Sequence, residues 1–216
     1  MDCLLNYLTI TNQKNRMPFK TILTTILIGL LLTTSTFGQT TKPTEYLGVP
    51  GPITFDKVYY NLAWSSHPSN YYYKQEYLAK EDTLEKFQHL IVLEIITGKT
   101  KVKDVVAAKI AELKRMKVSN PVINWETFEK SGEVMLDFLM SENTPDGKLL
   151  SVVERNVYRY KSIVDKSGKK GVLLFGVSDR HYGNDIDNFF KTFKAKRFDL
   201  INLVGAFDIP EISIPK

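Results

Sequence analysis

The sequence predicts an α+β domain in which a mostly antiparallel sheet of about seven strands is covered by two main helices as a three-layer α/β/α sandwich. Three observations lead there. Two short runs, Leu90–Ile96 (LIVLEII) and Val172–Val177 (VLLFGV), are apolar on both faces apart from Glu94, the pattern of strands covered on both sides. Two longer runs, Lys101–Val118 and one through about Leu203, carry apolar residues at helical spacing and supply the cover. Short, turn-rich links separate most of the strand-like segments, and short links join antiparallel neighbours.

The chain has 216 residues, 43% of them apolar, enough for one domain with a real core. Residues 1–38 stand apart from it. From Thr21 to Thr41 there is no charge, Ile22–Leu32 is a compact apolar stretch, and Lys14, Arg16 and Lys20 precede it. Thr36-Phe37-Gly38 then places small residues where a cut between Gly38 and Gln39 needs them. These are the parts of a cleaved secretory signal peptide, and the eight threonines between 21 and 41 argue against a span of about 20 apolar residues. The expectation is an exported protein, periplasmic or extracellular, with no stable membrane anchor after cleavage. Met17 offers a second translation start with a shorter basic flank.

Residues 39–52 (QTTKPTEYLGVPGP) hold three prolines and two glycines and read as a linker into a single domain over 53–216. Ile53–Ser65 alternates with a period of two whose phase slips at Asp56-Lys57, which predicts one strand with a bulge. His67–Asn70 reads as a turn and Tyr71–Tyr77 as the next strand, with Leu90–Ile96 after it. In Lys101–Val118 the apolar residues Val102, Val105, Val106, Ile110, Leu113 and Met116 form one helical stripe. Val122–Glu129, Glu133–Glu142 and Leu149–Val164 read as strands, with turns at Thr144–Gly147 and Lys166–Lys170. Val172–Val177 is the last strand, and Ile186, Phe189, Phe190, Phe193, Ala195 and Leu200 mark the second helix before a short irregular tail.

This order of elements, over most of residues 53–203, resembles the PsbP-like group of α/β/α sandwiches, which includes the photosystem extrinsic proteins and several small exported bacterial proteins. The resemblance lies in element order and carries over no functional residue. It implies a non-catalytic role that works by docking on a larger assembly.

Composition narrows the chemistry. Cys3 is the one cysteine and lies in the leader, so the exported chain has no disulfide and no thiol nucleophile. Lys14, Arg16 and Lys20 against Asp2 leave about +3 of the formal +5 beyond the cut, too little for a nucleic-acid binder. His67, His89 and His181 have no second histidine at metal-site spacing. Neither a G-x-S-x-G elbow nor a phosphate-binding glycine loop occurs. No cofactor, metal or catalytic residue is assigned.

The densest polar stretch is Ser178–Asp185 (SDRHYGND). Gly183, Asn184, Asp185 and Asp187 suit the start of a helix, with Asn184 or Asp185 as N-cap and acidic residues in the first turn. Arg180, His181 and Tyr182 are left over and suit contact with a protein or envelope component. The alternative is a hydrolase-like enzyme using Asp179, Arg180 and His181 with sequence-distant partners. A His181 in a concave pocket with an acid or base within about 3 Å is what that alternative requires. Two further features are Arg155, Arg159 and Lys161 at a period of two, which reads as a solvated basic stripe, and Trp64 with Tyr71, Tyr72 and Tyr73, an aromatic group that alternation splits between two faces.

Overall fold

The computed structural model describes residues 42–214; the leader and its Gly38-Gln39 cut lie outside them. Four strands, β1 (Ile53–Phe55), β2 (Val58–Ser69), β3 (Tyr72–Leu78) and β4 (His89–Thr97), precede helix α1 (Val102–Lys117). Four more, β5 (Asn124–Lys130), β6 (Glu133–Asn143), β7 (Leu150–Val164) and β8 (Lys170–Tyr182), precede helix α2 (Asp185–Ala206). They form one sheet in the order β1-β2-β3-β4-β8-β7-β6-β5, antiparallel throughout. Two meanders thus meet at the β4–β8 pairing, where the two runs that are apolar on both faces lie side by side, Ile91 opposite Val177 and Leu93 opposite Phe175.

Alternation along β4 separates two cores. Ile91, Leu93 and Ile95 join Val157, Phe175 and Val177 under Ile201 and Val204 of α2. Leu90 and Val92 face the other way, toward the cluster that holds Leu136, Phe138 and Tyr160 with Val102, Val106 and Leu113 of α1. On α1 the stripe read from the sequence is the buried face; on α2 Ile186 and Phe189 of the residues read are buried, Phe190 and Ala195 are exposed, and Ile201 and Val204, outside that reading, complete the buried face.

The expected three-layer sandwich of about seven strands does not form. The sheet has eight strands and curls into a half-barrel, and with 45% of the described residues in strands against 22% in helices the two helices are too few to clothe it. The eighth strand arises where one bulged strand was expected. Asp56 and Lys57 both take positive φ, 44° and 66°, and reverse the chain in two residues, so that Phe55 pairs with Val58 and Ile53 with Tyr60. Two consecutive left-handed residues match the twist of a two-residue hairpin, and a phase slip in the apolar pattern looks the same for a hairpin as for a bulge. Curling follows from the right-handed twist accumulated along strands as long as β2, β7 and β8. α1 reaches β5, β6 and β7 and α2 reaches β6, β7 and β8. On the α2 side, the core is closed instead by the segments before β1 and after α2. Leu47 and Val49, inside the stretch read as linker, are buried there with Ile212 and Ile214.

Other boundaries also move. His67 and Pro68 belong to β2, and the reversal falls at Asn70-Tyr71. β8 runs on past Val177 to Tyr182, so Ser178–Tyr182 is strand and only Gly183-Asn184 connects to α2. Arg155 and Arg159 lie beneath α2, not on a solvated face: Arg155 is buried in a two-pronged pair with Asp137 at 3.0 and 3.1 Å.

Candidate functional site

The end of β8 is a strand, and alternation decides where its side chains go. Asp179 and His181 face α2. Arg180 and Tyr182 face the other way, toward Phe87 in the β3–β4 connection. The guanidinium of Arg180 lies 3.9 Å from the Phe87 ring centre and donates to Glu154 Oε2 on β7 at 2.6 Å. The Tyr182 hydroxyl donates to the Phe87 carbonyl at 3.0 Å. Strand β8 therefore separates Arg180 from Asp179 and His181, which the sequence sets side by side.

Beneath α2, Asp179 joins two histidines. His89, which opens β4 directly opposite Asp179, places Nε2 3.3 Å from Oδ1, and His181 Nε2 lies 3.2 Å from Oδ2. The other ring nitrogen of His181, Nδ1, meets Asp185 Oδ2 at 2.6 Å, and the ring stacks on Phe189 with centres 4.4 Å apart. Asp185 and Phe189 belong to the first turns of α2. Asn184 holds the N-cap position but makes no side-chain capping bond, and the Asp185 carboxylate expected to favour the helix dipole is spent on His181. The sequence stretch thus ties strand to helix.

These groups line a cleft of about 500 Å³ between the sheet end and α2, with Asp56 of the β1–β2 hairpin, Arg155 and Lys196 on its rim and walls. Burial would raise the Asp179 carboxyl, but hydrogen bonds and charge from His181 and His89 outweigh it and hold the group well below the usual carboxylate range. Burial would lower the His181 imidazole, and Asp179 and Asp185 together outweigh that and raise it. Although close to Asp179, His181 Nε2 is off the line of a good hydrogen bond, and it is shut off from water. The more open imidazole is His89, whose side chain is 48% exposed.

A carboxylate between two imidazoles can share and relay a proton, and the geometric condition set for a hydrolase-like site is met at His181. Carboxylates and imidazoles line the cleft, but no free hydroxyl nucleophile does among the described residues. Among the described residues lining the cleft, the one hydroxyl is that of Thr192, which donates to the Asn188 carbonyl at 3.0 Å. Among the described residues, no group of three or more His, Cys, Asp or Glu is placed to hold a metal ion. Sequence reading missed His89 as a partner of Asp179 and Glu154 as a partner of Arg180. Both depend on strand register, which no local pattern specifies.

Fold and cleft define a curled antiparallel sheet protein with a charge-paired cleft under its last helix. A family model matches residues 47–209, and the chain belongs to that family, whose function is not known. No curated protein and no solved structure matches the chain.

Proposed function

We propose that this chain is an exported, non-catalytic binding or accessory protein that docks on a protein or envelope component through the surface at the end of β8. One observation carries the reading. Every ionisable side chain from Asp179 to Asp185 already has an internal partner, so the stretch presents a rigid, charge-balanced surface and no group waits for a proton. Pre-ordered side chains lose little entropy on binding, and the exposed Phe190, packed against Phe189 in the first turns of α2, adds apolar area near the same surface. Export is argued from the apolar stretch 22–32 and its small-residue cut site. Among the described residues, no helix is long and apolar enough to cross a membrane.

The test is recovery of partners from the envelope and culture fluid of exporting cells with tagged protein, wild type against Arg180→Ala/His181→Ala, alongside amino-terminal sequencing of the exported chain. The expected results are a start at Gln39 and a recovered partner that the double variant loses at an unchanged fold. An identical recovered set for both proteins overturns the surface assignment.

The shared carboxylate of Asp179 favours a second reading, a hydrolase-like enzyme in which Asp179 and His181 orient His89, while Arg180, on the other face of the sheet, takes no part. Turnover of chromogenic phosphate or carboxylate esters that His89→Gln abolishes would move the conclusion to that enzyme.

A further inference from the structure

On the face of the sheet opposite α2, beside the part that α1 covers, a groove of about 310 Å³ crosses β2, β3, β4, β8 and β7. Arg180 is the one residue it shares with the proposed docking surface. Its walls are Trp64, 38% exposed, and the Arg180 guanidinium backed by Phe87. Its floor is Tyr158, whose ring lies so close over Gly176 that a Cβ there would come within 2.6 Å of it. Around these sit two cations, each already matched. Lys74 pairs with Glu76 at 2.7 Å and reaches Glu94 at 3.6 Å, and Arg180 pairs with Glu154. Ser178 lines the floor and donates to Asn156 Oδ1 at 2.6 Å. The Asn156 Nδ2 next to it is buried without a partner.

From this arrangement we infer that the groove is a binding site for a neutral sugar ring. A charged ligand would have to displace one member of a pair and leave the other uncompensated in a half-buried place. A hydroxyl does not, because it donates to a carboxylate and accepts from an ammonium or guanidinium at the same time, in charge-assisted bonds. A sugar offers several such hydroxyls on one rigid ring together with an apolar face of C–H groups, and Trp64 is a flat apolar surface at the groove edge. The volume is at the small end of ligand sites, about 300–1,000 Å³, and has room for a mono- or disaccharide. Ser178 adds a polar group to the floor.

The proposal is tested on the purified protein by saturation-transfer NMR and tryptophan fluorescence. The probes are glucose, galactose, N-acetylglucosamine, maltose and cellobiose, with glucuronate and glucosamine as charged counterparts. Trp125→Phe leaves Trp64 as the sole tryptophan, read by excitation selective for indole. At least one neutral sugar binds at about 10 mM or below, its charged counterpart binds several-fold more weakly, and Trp64→Ala weakens binding about tenfold or more. Trp64→Phe, which keeps a ring, retains most of the affinity. His181→Gln, on the other face, leaves it unchanged, which separates this site from the His181 side of the docking surface. Absence of binding by every neutral sugar, equal or tighter binding of the charged counterpart, or affinity that survives Trp64→Ala overturns the inference.

Discussion

At the scale of single residues, His181 shows how a side chain with a catalytic reputation becomes structural. Its two nitrogens lie within 3.2 Å of carboxylates from different elements, Asp179 of β8 and Asp185 of α2, while His89 of β4 shares Asp179. Because the folded state raises the imidazole of His181, the stabilisation is fully present below its ordinary value, about pH 6.5, and is lost as pH rises through the higher folded value. Asp179 acts in the opposite sense: its carboxyl is held down, so its contribution is present above about pH 4 and fades only as pH falls through the folded value. The tie is therefore strongest between about pH 4 and 6.5. His181→Gln lowers stability by roughly 1 kcal/mol in that window, the size of a partly buried charge pair, and by less at pH 9. Urea unfolding at pH 5.5 and pH 9 checks this. An equal loss at both values would mean that stacking on Phe189, and not charge, is what His181 contributes.

At the scale of elements, the helices and most strands were legible because their apolar residues recur at the right spacing, as Val102, Val106 and Leu113 do on α1. The end of β8 was not legible, because Ser178, Asp179 and Arg180 are polar and the apolar run stops at Val177. These residues stay in the ladder through partners on neighbouring strands: Ser178 on Asn156, Arg180 on Glu154, and Asp179 on His89. Cross-strand pairs of this kind stabilise a sheet, and the sequence separates their members by tens of residues. The same holds for the basic residues of β7. α2 has no basic residue in its last turn, yet its C-terminal carbonyls are not bare. Arg159, paired with Glu133 at 2.6 Å, donates to the carbonyl of Phe207 at 2.9 Å and reaches that of Val204 at 3.4 Å. A cation at that end also answers the negative pole of the helix. Arg159→Met keeps the apolar stem and removes these bonds. It costs about 1.5–3 kcal/mol, the worth of hydrogen bonds to a charged group, and speeds amide hydrogen exchange in the last turn of α2 while leaving α1 unchanged. Unaltered exchange in that turn would show that packing of Ile201 and Val204 alone holds the helix end.

For the whole molecule, the decisive feature is that a curled sheet with two helices leaves a core open, and the chain closes it with segments that look irregular. Before β1, the buried Gln75 side chain accepts from the amides of Tyr46 and Leu47 and donates to the Val49 carbonyl, which Tyr77 also bonds at 2.7 Å. After α2, the Ser213 amide donates to the Leu47 carbonyl at 2.8 Å and the Ile214 amide to Asp165 at 3.2 Å. Gly48 lets the two segments approach, since a Cβ there would come within 2.9 Å of that of Ser213 and its φ is +72°. No periodicity announces such a closure, because each segment contributes only two buried apolar residues, Leu47 and Val49 on one side and Ile212 and Ile214 on the other, with Tyr46, Phe207 and Ile209 partly buried beside them. Its energetic weight is nonetheless large. Cutting the chain after Pro210 removes two buried isoleucines and exposes Leu47 beneath them. With about 2–5 kcal/mol for each large side chain lost from a core, the loss approaches the whole stability of a domain, about 5–15 kcal/mol. The truncated protein is expected to unfold at a much lower denaturant concentration than the full chain or to fail to accumulate folded. Ile212→Ala/Ile214→Ala, which keeps the backbone bonds to Leu47 and Asp165, gives an intermediate loss. If the truncated chain unfolded at the same denaturant midpoint as the full one, the half-barrel would be self-sufficient and the terminal segments mere passengers on its surface.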